Sequence, residues 1–251
     1  MLKKMMVVVV AMIVSFAGMG QAFEADIAGD ISVDYNGKYI WRGQLLSDDP
    51  VLQPGIGFGI GNLYLNIWGN MGTTEYSGNS GEFNEVDYTI DYSDAITDVL
   101  GYSIGAIRYD FPNTGFDATT EIYAGLSLDT VLSPSVTVYY DIDEADGVYV
   151  SFGVGHSIDL SDTMALDISA ALGWGDEDYN TFYWGVADDA ANDLSVSVAL
   201  PIAMGDWTLT PSVNYVSLMD SDLRASNAYA TNSDNDKSDY FYAGIGLSTE
   251  F

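Results

Sequence analysis

Side chains able to act on a passing solute recur at alternate positions of extended segments. They are Asp34, Lys38, Asp87, Asp91, Arg108, Glu121, Tyr123, Asp141 and Asp167, with Glu85 beside them and Arg42 just past the first segment. Tyr64, Trp68, Tyr139, Tyr149 and Tyr242 fall on the same alternate positions. Carboxylates outnumber bases in this set, so a water-filled passage lined by it would hold a negative potential that draws cations and repels anions. The chemistry expected is selection by charge. The same residues allow a second reading, in which Lys38, Arg42 and Arg108 pair with the acids and fill a closed interior. Arg42, flanked by Trp41 and Gly43, could draw a loop inward by pairing with Asp48 or Asp49, or stand at a rim against lipid headgroups and lipopolysaccharide phosphate.

Catalysis finds little support. His156 is the sole histidine, its neighbour Ser157 falls on the opposite face of a strand, and no spacing supports a Ser-His-Asp arrangement. Some twelve-stranded barrels are phospholipases with Ser and His at the surface rim, whereas His156 is expected near the other rim. Cysteine is absent, which excludes disulfides and thiolate metal sites. The runs Asp141-x-Asp143-x-x-Asp146-Gly147 and Asp234-x-Asp236-x-Ser238 offer oxygen ligands but lack the EF-hand glycine and glutamate, so no dedicated calcium site and no cofactor is expected.

The elements that must position these groups are strands. The last stretch, Asp239 to Phe251, sets Phe241, Ala243, Ile245, Leu247, Thr249 and Phe251 against Tyr240, Tyr242, Gly244, Gly246, Ser248 and Glu250. Period two with one apolar and one small or polar face describes a strand between two different environments. Further strands are expected near Asp30–Trp41, Gly55–Ile60, Leu63–Met71, Glu85–Tyr92, Leu100–Asp110, Thr120–Leu128, Ser135–Ile142, Val148–His156, Ala165–Trp174, Asp193–Ile202 and Trp207–Val216. Their connections alternate between short turns, such as Gly61-Asn62, and longer segments rich in Asp, Asn, Gly and Ser. An all-β, up-and-down transmembrane barrel of about twelve antiparallel strands produces that alternation, with both termini in the periplasm. Tyr39, Trp41, Tyr92, Tyr102, Trp174, Trp207 and Phe241 are read as its interfacial aromatic girdles.

The start of the chain agrees. Lys3 and Lys4, the apolar run Met5 to Gly18 and the small residues Gly20 and Ala22 read as a secretory signal peptide over 1–22, with cleavage near Ala22 and a barrel over 23–251. No other stretch is apolar for long enough to form a spanning helix. Removing Lys3 and Lys4 leaves five bases, Lys38, Arg42, Arg108, Arg224 and Lys237, against 37 acids, a formal charge of −32. That balance excludes a basic nucleic-acid or anionic-membrane patch. With 13% aromatic and 48% hydrophobic residues the chain still folds.

Tyr39-Ile40-Trp41-Arg42-Gly43 followed by Ser47-Asp48-Asp49-Pro50 and Gln53 resembles the opening of the TorF-type porin family, a family of unknown function. Glu85-Val86-Asp87-Tyr88, Tyr109-Asp110-Phe111-Pro112 and Glu121-Ile122-Tyr123-Ala124-Gly125 extend the resemblance over both halves of the chain. It implies an outer-membrane barrel conducting small solutes. The expected role is therefore passive diffusion of small, preferentially cationic or neutral solutes across the outer membrane of a Gram-negative cell. The alternative is a closed structural or partner-binding barrel. Expected partners are outer-membrane lipid, lipopolysaccharide, small solutes and the barrel-assembly machinery, which would read Phe251. A homo-oligomer is compatible with the sequence, and no nucleic acid is expected.

Overall fold

The computed structural model describes residues 27–75, 80–230 and 238–251. The expected signal peptide over 1–22 and the acidic run at Asp234 and Asp236 lie outside the described residues. Strand β1 (Ile27–Asn36) precedes two short strands, β2 (Tyr39–Trp41) and β3 (Gln44–Ser47). Then follow β4 (Val51–Ile60), β5 (Leu63–Gly72), β6 (Phe83–Ala95), β7 (Leu100–Asp110), β8 (Thr119–Leu128), β9 (Ser135–Asp141), β10 (Val148–Ser161) and β11 (Met164–Gly175). Helix α1 (Glu177–Trp184) leads to β12 (Ala190–Ala199), β13 (Ile202–Met204), β14 (Trp207–Leu218), helix α2 (Ser221–Ala230) and β15 (Asp239–Glu250).

Apart from the β2–β3 hairpin, successive strands pair antiparallel. The sheet closes where β15 returns to β1, with Asp30 opposite Glu250 and Asn36 opposite Gly244. β12 and β13 form one stave interrupted at Pro201, which has no N–H to give the ladder; Ile202 resumes pairing against Leu209. The result is a closed barrel of twelve staves. Short turns, among them Gly61-Asn62 with Gly61 at φ 57°, gather at one rim, and the longer connections gather at the other.

Alternation decides which side chains face which medium. Ile31, Ile90, Ile104, Phe152 and Ile245 are among the many large apolar groups exposed on the outer wall, a belt unsuited to water. Tyr92, Tyr102 and Trp207 stand on that wall toward the turn rim and Trp174 and Phe241 toward the loop rim, two levels of aromatics as expected. Tyr39 and Trp41 do not join them. β1 ends at Asn36 rather than at the expected Trp41, and the chain then folds into the bore, where Tyr39 and Trp41 pair within a hairpin. The small hydrophobic core, formed by Trp184, Ala190, Leu218 and Leu223, sits at the loop rim where α1 and α2 pack.

Inside, three tyrosines each reach across one strand to an aspartate on the next. Tyr64 of β5 donates to Asp30 of β1 at 2.8 Å, Tyr123 of β8 to Asp91 of β6 at 2.6 Å, and Tyr149 of β10 to Asp193 of β12 at 2.8 Å. The strand passed over carries glycine at each crossing, Gly57, Gly105 and Gly173, where a β-carbon would overlap the phenol. Gly57→Ala and Gly173→Ala should each destabilise the refolded barrel by about 1–3 kcal/mol, the usual range for overpacking. Urea unfolding midpoints measure this, and Gly59→Ala, whose added methyl meets only ordinary contacts, should leave the midpoint nearly unchanged.

Candidate functional site: a constriction in the bore

The β2–β3 hairpin turns at Arg42-Gly43, with φ of 45° and 83°, and pairs Trp41 with Gln44. Two consecutive left-handed residues make the type I′ turn that suits a two-residue hairpin, although arginine is an uncommon choice for the first of them. Its side chain accounts for the choice. Both terminal nitrogens of Arg42 donate to the two carboxylate oxygens of Glu121 on β8, each at 2.7 Å, and both groups are nearly fully buried. The guanidinium lies 4.5 Å from the ring of Trp41, 4.5 Å from Tyr139 and 4.2 Å from Tyr149, with Tyr179 of α1 at 5.8 Å. A planar, delocalised cation held by a forked carboxylate and ringed by aromatic faces is an arrangement that lysine could not reproduce. Burial works against the Arg42 charge, but the neighbouring Tyr179 and Glu121 favour it and hold its pKa above the ordinary arginine value.

The hairpin spans the bore. At its start Tyr39 packs at a tilt against Trp68 of β5 with ring centroids 5.8 Å apart. At its tip a β-carbon on Gly43 would strike Leu218 of β14 and Asp193 of β12. Trp41 packs against Tyr109 of β7 and Tyr183 of α1 at 6.1 and 5.2 Å. α1 is fixed by its own caps. Asp176 accepts from the Tyr179 amide at 2.9 Å, and Gly185 closes the other end at φ 68°. This presents Tyr179 to Tyr149 at 5.2 Å, and burial raises the Tyr179 phenol pKa. Cavities of 350 Å³ and 280 Å³ flank the hairpin on opposite walls, and both are lined by Ile40 and Tyr242. On the turn side the bore opens into a 550 Å³ cavity walled by small residues such as Ser151, Gly153, Ser169, Ser195 and Ser197.

The strand register puts Asp34, Asp87, Asp91, Glu121, Tyr123, Asp141 and Asp167 on the inner face. Lys38 lines the inner cavity beside the hairpin and pairs with Asp48. Arg42 does turn a loop inward, but onto Glu121 and not onto Asp48 or Asp49. Arg108 is a correction. It is opposite Tyr88 and Thr120 on the outward parity, half exposed, and pairs with Asp110 and Asp143. It sits near the loop end of β7, where the outer wall already meets water and a charge is tolerated. Asp141 accepts from Thr119 and Asp146 from Tyr140. On β10, His156 is opposite the outward Ile168 while Ser157 is opposite the inward Asp167, so the two face opposite sides of the wall.

The sequence reading missed Asp30, Asp193 and Tyr179 of α1. Asp193 shares parity with the inward Ser195 and Ser197, so its alternation was available as a signal. Tyr179 lies in a loop helix that no strand pattern reports.

No known family profile matches this sequence, and no curated protein matches it. Solved structures do. The NanC porin superposes with a TM-score of 0.54 at 14% identity, over 88% of this chain and 98% of that one. A KdgM porin gives 0.54 at 10%, over 89% and 99%. LpxR from Salmonella typhimurium gives 0.53 at 11%, over 88% and 99%. At such identities the likeness is one of fold, and it covers nearly the whole of each relative.

Leaving one member of a buried ion pair without its partner typically costs about 3–5 kcal/mol. Glu121→Ala should therefore release the hairpin while leaving the barrel wall intact. Limited trypsin digestion of folded protein should then cut after Lys38 and Arg42, while the parent chain should stay uncut at both.

Proposed function

We propose that this chain is an outer-membrane channel through which small solutes, cationic or neutral in preference, diffuse passively past the β2–β3 hairpin. The observation that carries the reading is the sign of the bore. Its inward bases, Lys38 and Arg42, are each already paired, while Asp34, Asp87 and Asp167 form no ion pair among the described residues. Several other acids accept from tyrosine hydroxyls, as Asp30, Asp91 and Asp193 do. A phenol satisfies a carboxylate without supplying a counter-charge, so the interior keeps its excess of acids over bases. The apolar outer belt and the closed ring of staves support a place in the outer membrane, in contact with lipid and lipopolysaccharide. The resemblance of the Trp41-Arg42-Gly43 region to TorF-type porins agrees with this. A KdgM porin has been solved in complex with disordered oligogalacturonate. The carboxylates of such a ligand would meet like charge in this bore, which favours a different cargo.

A closed barrel whose role lies in its loops is the second reading, favoured by the forked grip of Glu121 on the hairpin. Protein reconstituted in a planar bilayer under a potassium chloride gradient separates the two. Stable openings with a reversal potential of cation-selective sign are expected. Excising residues 39–47 in favour of a short Gly-Ser turn should raise unit conductance severalfold. Anion preference overturns the selectivity, and silent membranes from protein that retains heat-modifiable migration favour the closed barrel.

A further inference from the structure

Above the constriction lies a cavity of 470 Å³ that the channel reading does not use. Five separate pieces of the chain build it: the hairpin, the start of β6, the continuous run from the end of β7 through the 111–118 loop into β8, the 142–147 loop and α1. Its walls are aromatic. Phe111 packs edge-on to Phe116 at 6.2 Å, and Phe182 packs edge-on to Tyr183 at 4.8 Å. Tyr183 in turn lies 5.2 Å from Trp41. Phe116, Phe182 and Leu46 leave 77%, 49% and 39% of their surfaces exposed around it, so the apolar side chains form a group at this one cavity.

The acidic side chains of the cavity meet no base. Glu85, Asp117 and Glu144 line it, and among the described residues no lysine or arginine does. The bases nearby are committed elsewhere, Arg42 to Glu121 and Arg108 to Asp110 and Asp143. One further group has an unmet need: the side-chain nitrogen of Gln44, on the cavity wall, is buried with no acceptor among the described residues. Aromatic faces and carboxylates together suit a cation that carries an apolar body, because ring quadrupoles and full charges act on it in the same direction.

We infer that this loop-side cavity is a binding site for a small organic cation with an aromatic body and a hydrogen-bond acceptor beside its ammonium group, the acceptor meeting Gln44. The inference goes beyond the channel reading, because binding here does not require the bore to conduct. Isothermal titration of the detergent-folded protein with phenylalaninamide at pH 6, where its amine is charged, tests it. Saturable binding is expected. N-acetylphenylalaninamide, which keeps the ring and loses the charge, should bind at least about tenfold more weakly, as should glycinamide, which keeps the charge and loses the ring. Phe116→Ala and the double variant Asp117→Asn/Glu144→Gln change exposed loop residues and should each weaken binding by about the same factor while heat-modifiable migration is unchanged. Absence of saturable binding overturns the site. Equal affinity for the acetylated compound overturns the role of charge, and equal affinity for glycinamide overturns that of the aromatic walls. A conducting protein that binds none of these loses the site and keeps the channel, whereas a silent one that binds phenylalaninamide does the reverse.

Discussion

Every amide and carbonyl along a stave that touches hydrocarbon must find its partner on a neighbouring stave, and this requirement governs the rest of the molecule. It is met at the seam, where the Gly29 and Phe251 backbones exchange hydrogen bonds of 2.7 and 2.8 Å and β1 pairs with β15 from Asp30–Glu250 to Asn36–Gly244. Once the ring is closed, side-chain parity is no longer free. A register slip of one residue at any seam would send Asp34 or Asp87 into lipid and Val33 or Val86 into the bore, so an energetic penalty on the outside specifies the chemistry on the inside.

The interior then has to accommodate many acids without many bases. Pairing them one for one is impossible with so few lysines and arginines, and the structure uses phenols instead. Where a base is spent, it is spent on position. The Arg42–Glu121 pair joins residues 79 apart in sequence and holds the hairpin across the bore. An aromatic enclosure suits that task, because it excludes water from the pair and keeps the guanidinium in one orientation. The same enclosure recruits α1 through Tyr179, so the hairpin and the largest described loop segment form one unit at the loop rim.

The wall was largely legible in the sequence, and the contents of the bore were not. Leu100–Asp110 is a strand to the residue, and the closing stretch differs only at Phe251, because period two is a local property of the chain. Tyr39 and Trp41 misled for the same reason. They continue the parity of Ile31, Val33 and Tyr35, and nothing local announces that Gly37 makes the last ladder bond, to Ala243, before the chain turns inward. Arg108 misled differently, since charge alone suggested a wet interior when the strand end was already beyond the apolar belt. The partner of Arg42 depends on three-dimensional closure, which no spacing between residues 42 and 121 encodes.

A cylinder made only of hydrogen-bonded staves is stiff along its length and easily flattened, because adjacent staves can hinge about their ladder. The tyrosines that step over a glycine to the second stave resist that hinging as hoops resist the ovalling of a cask. Tyr64 does so on one flank, Tyr123 and Tyr149 on the others, each tying three staves into a fixed arc. Since their rings lie against the wall, they brace the cross-section without narrowing it. Lateral pressure on the cylinder is thus carried by the shell, and the tongue inside can rest there without acting as a strut.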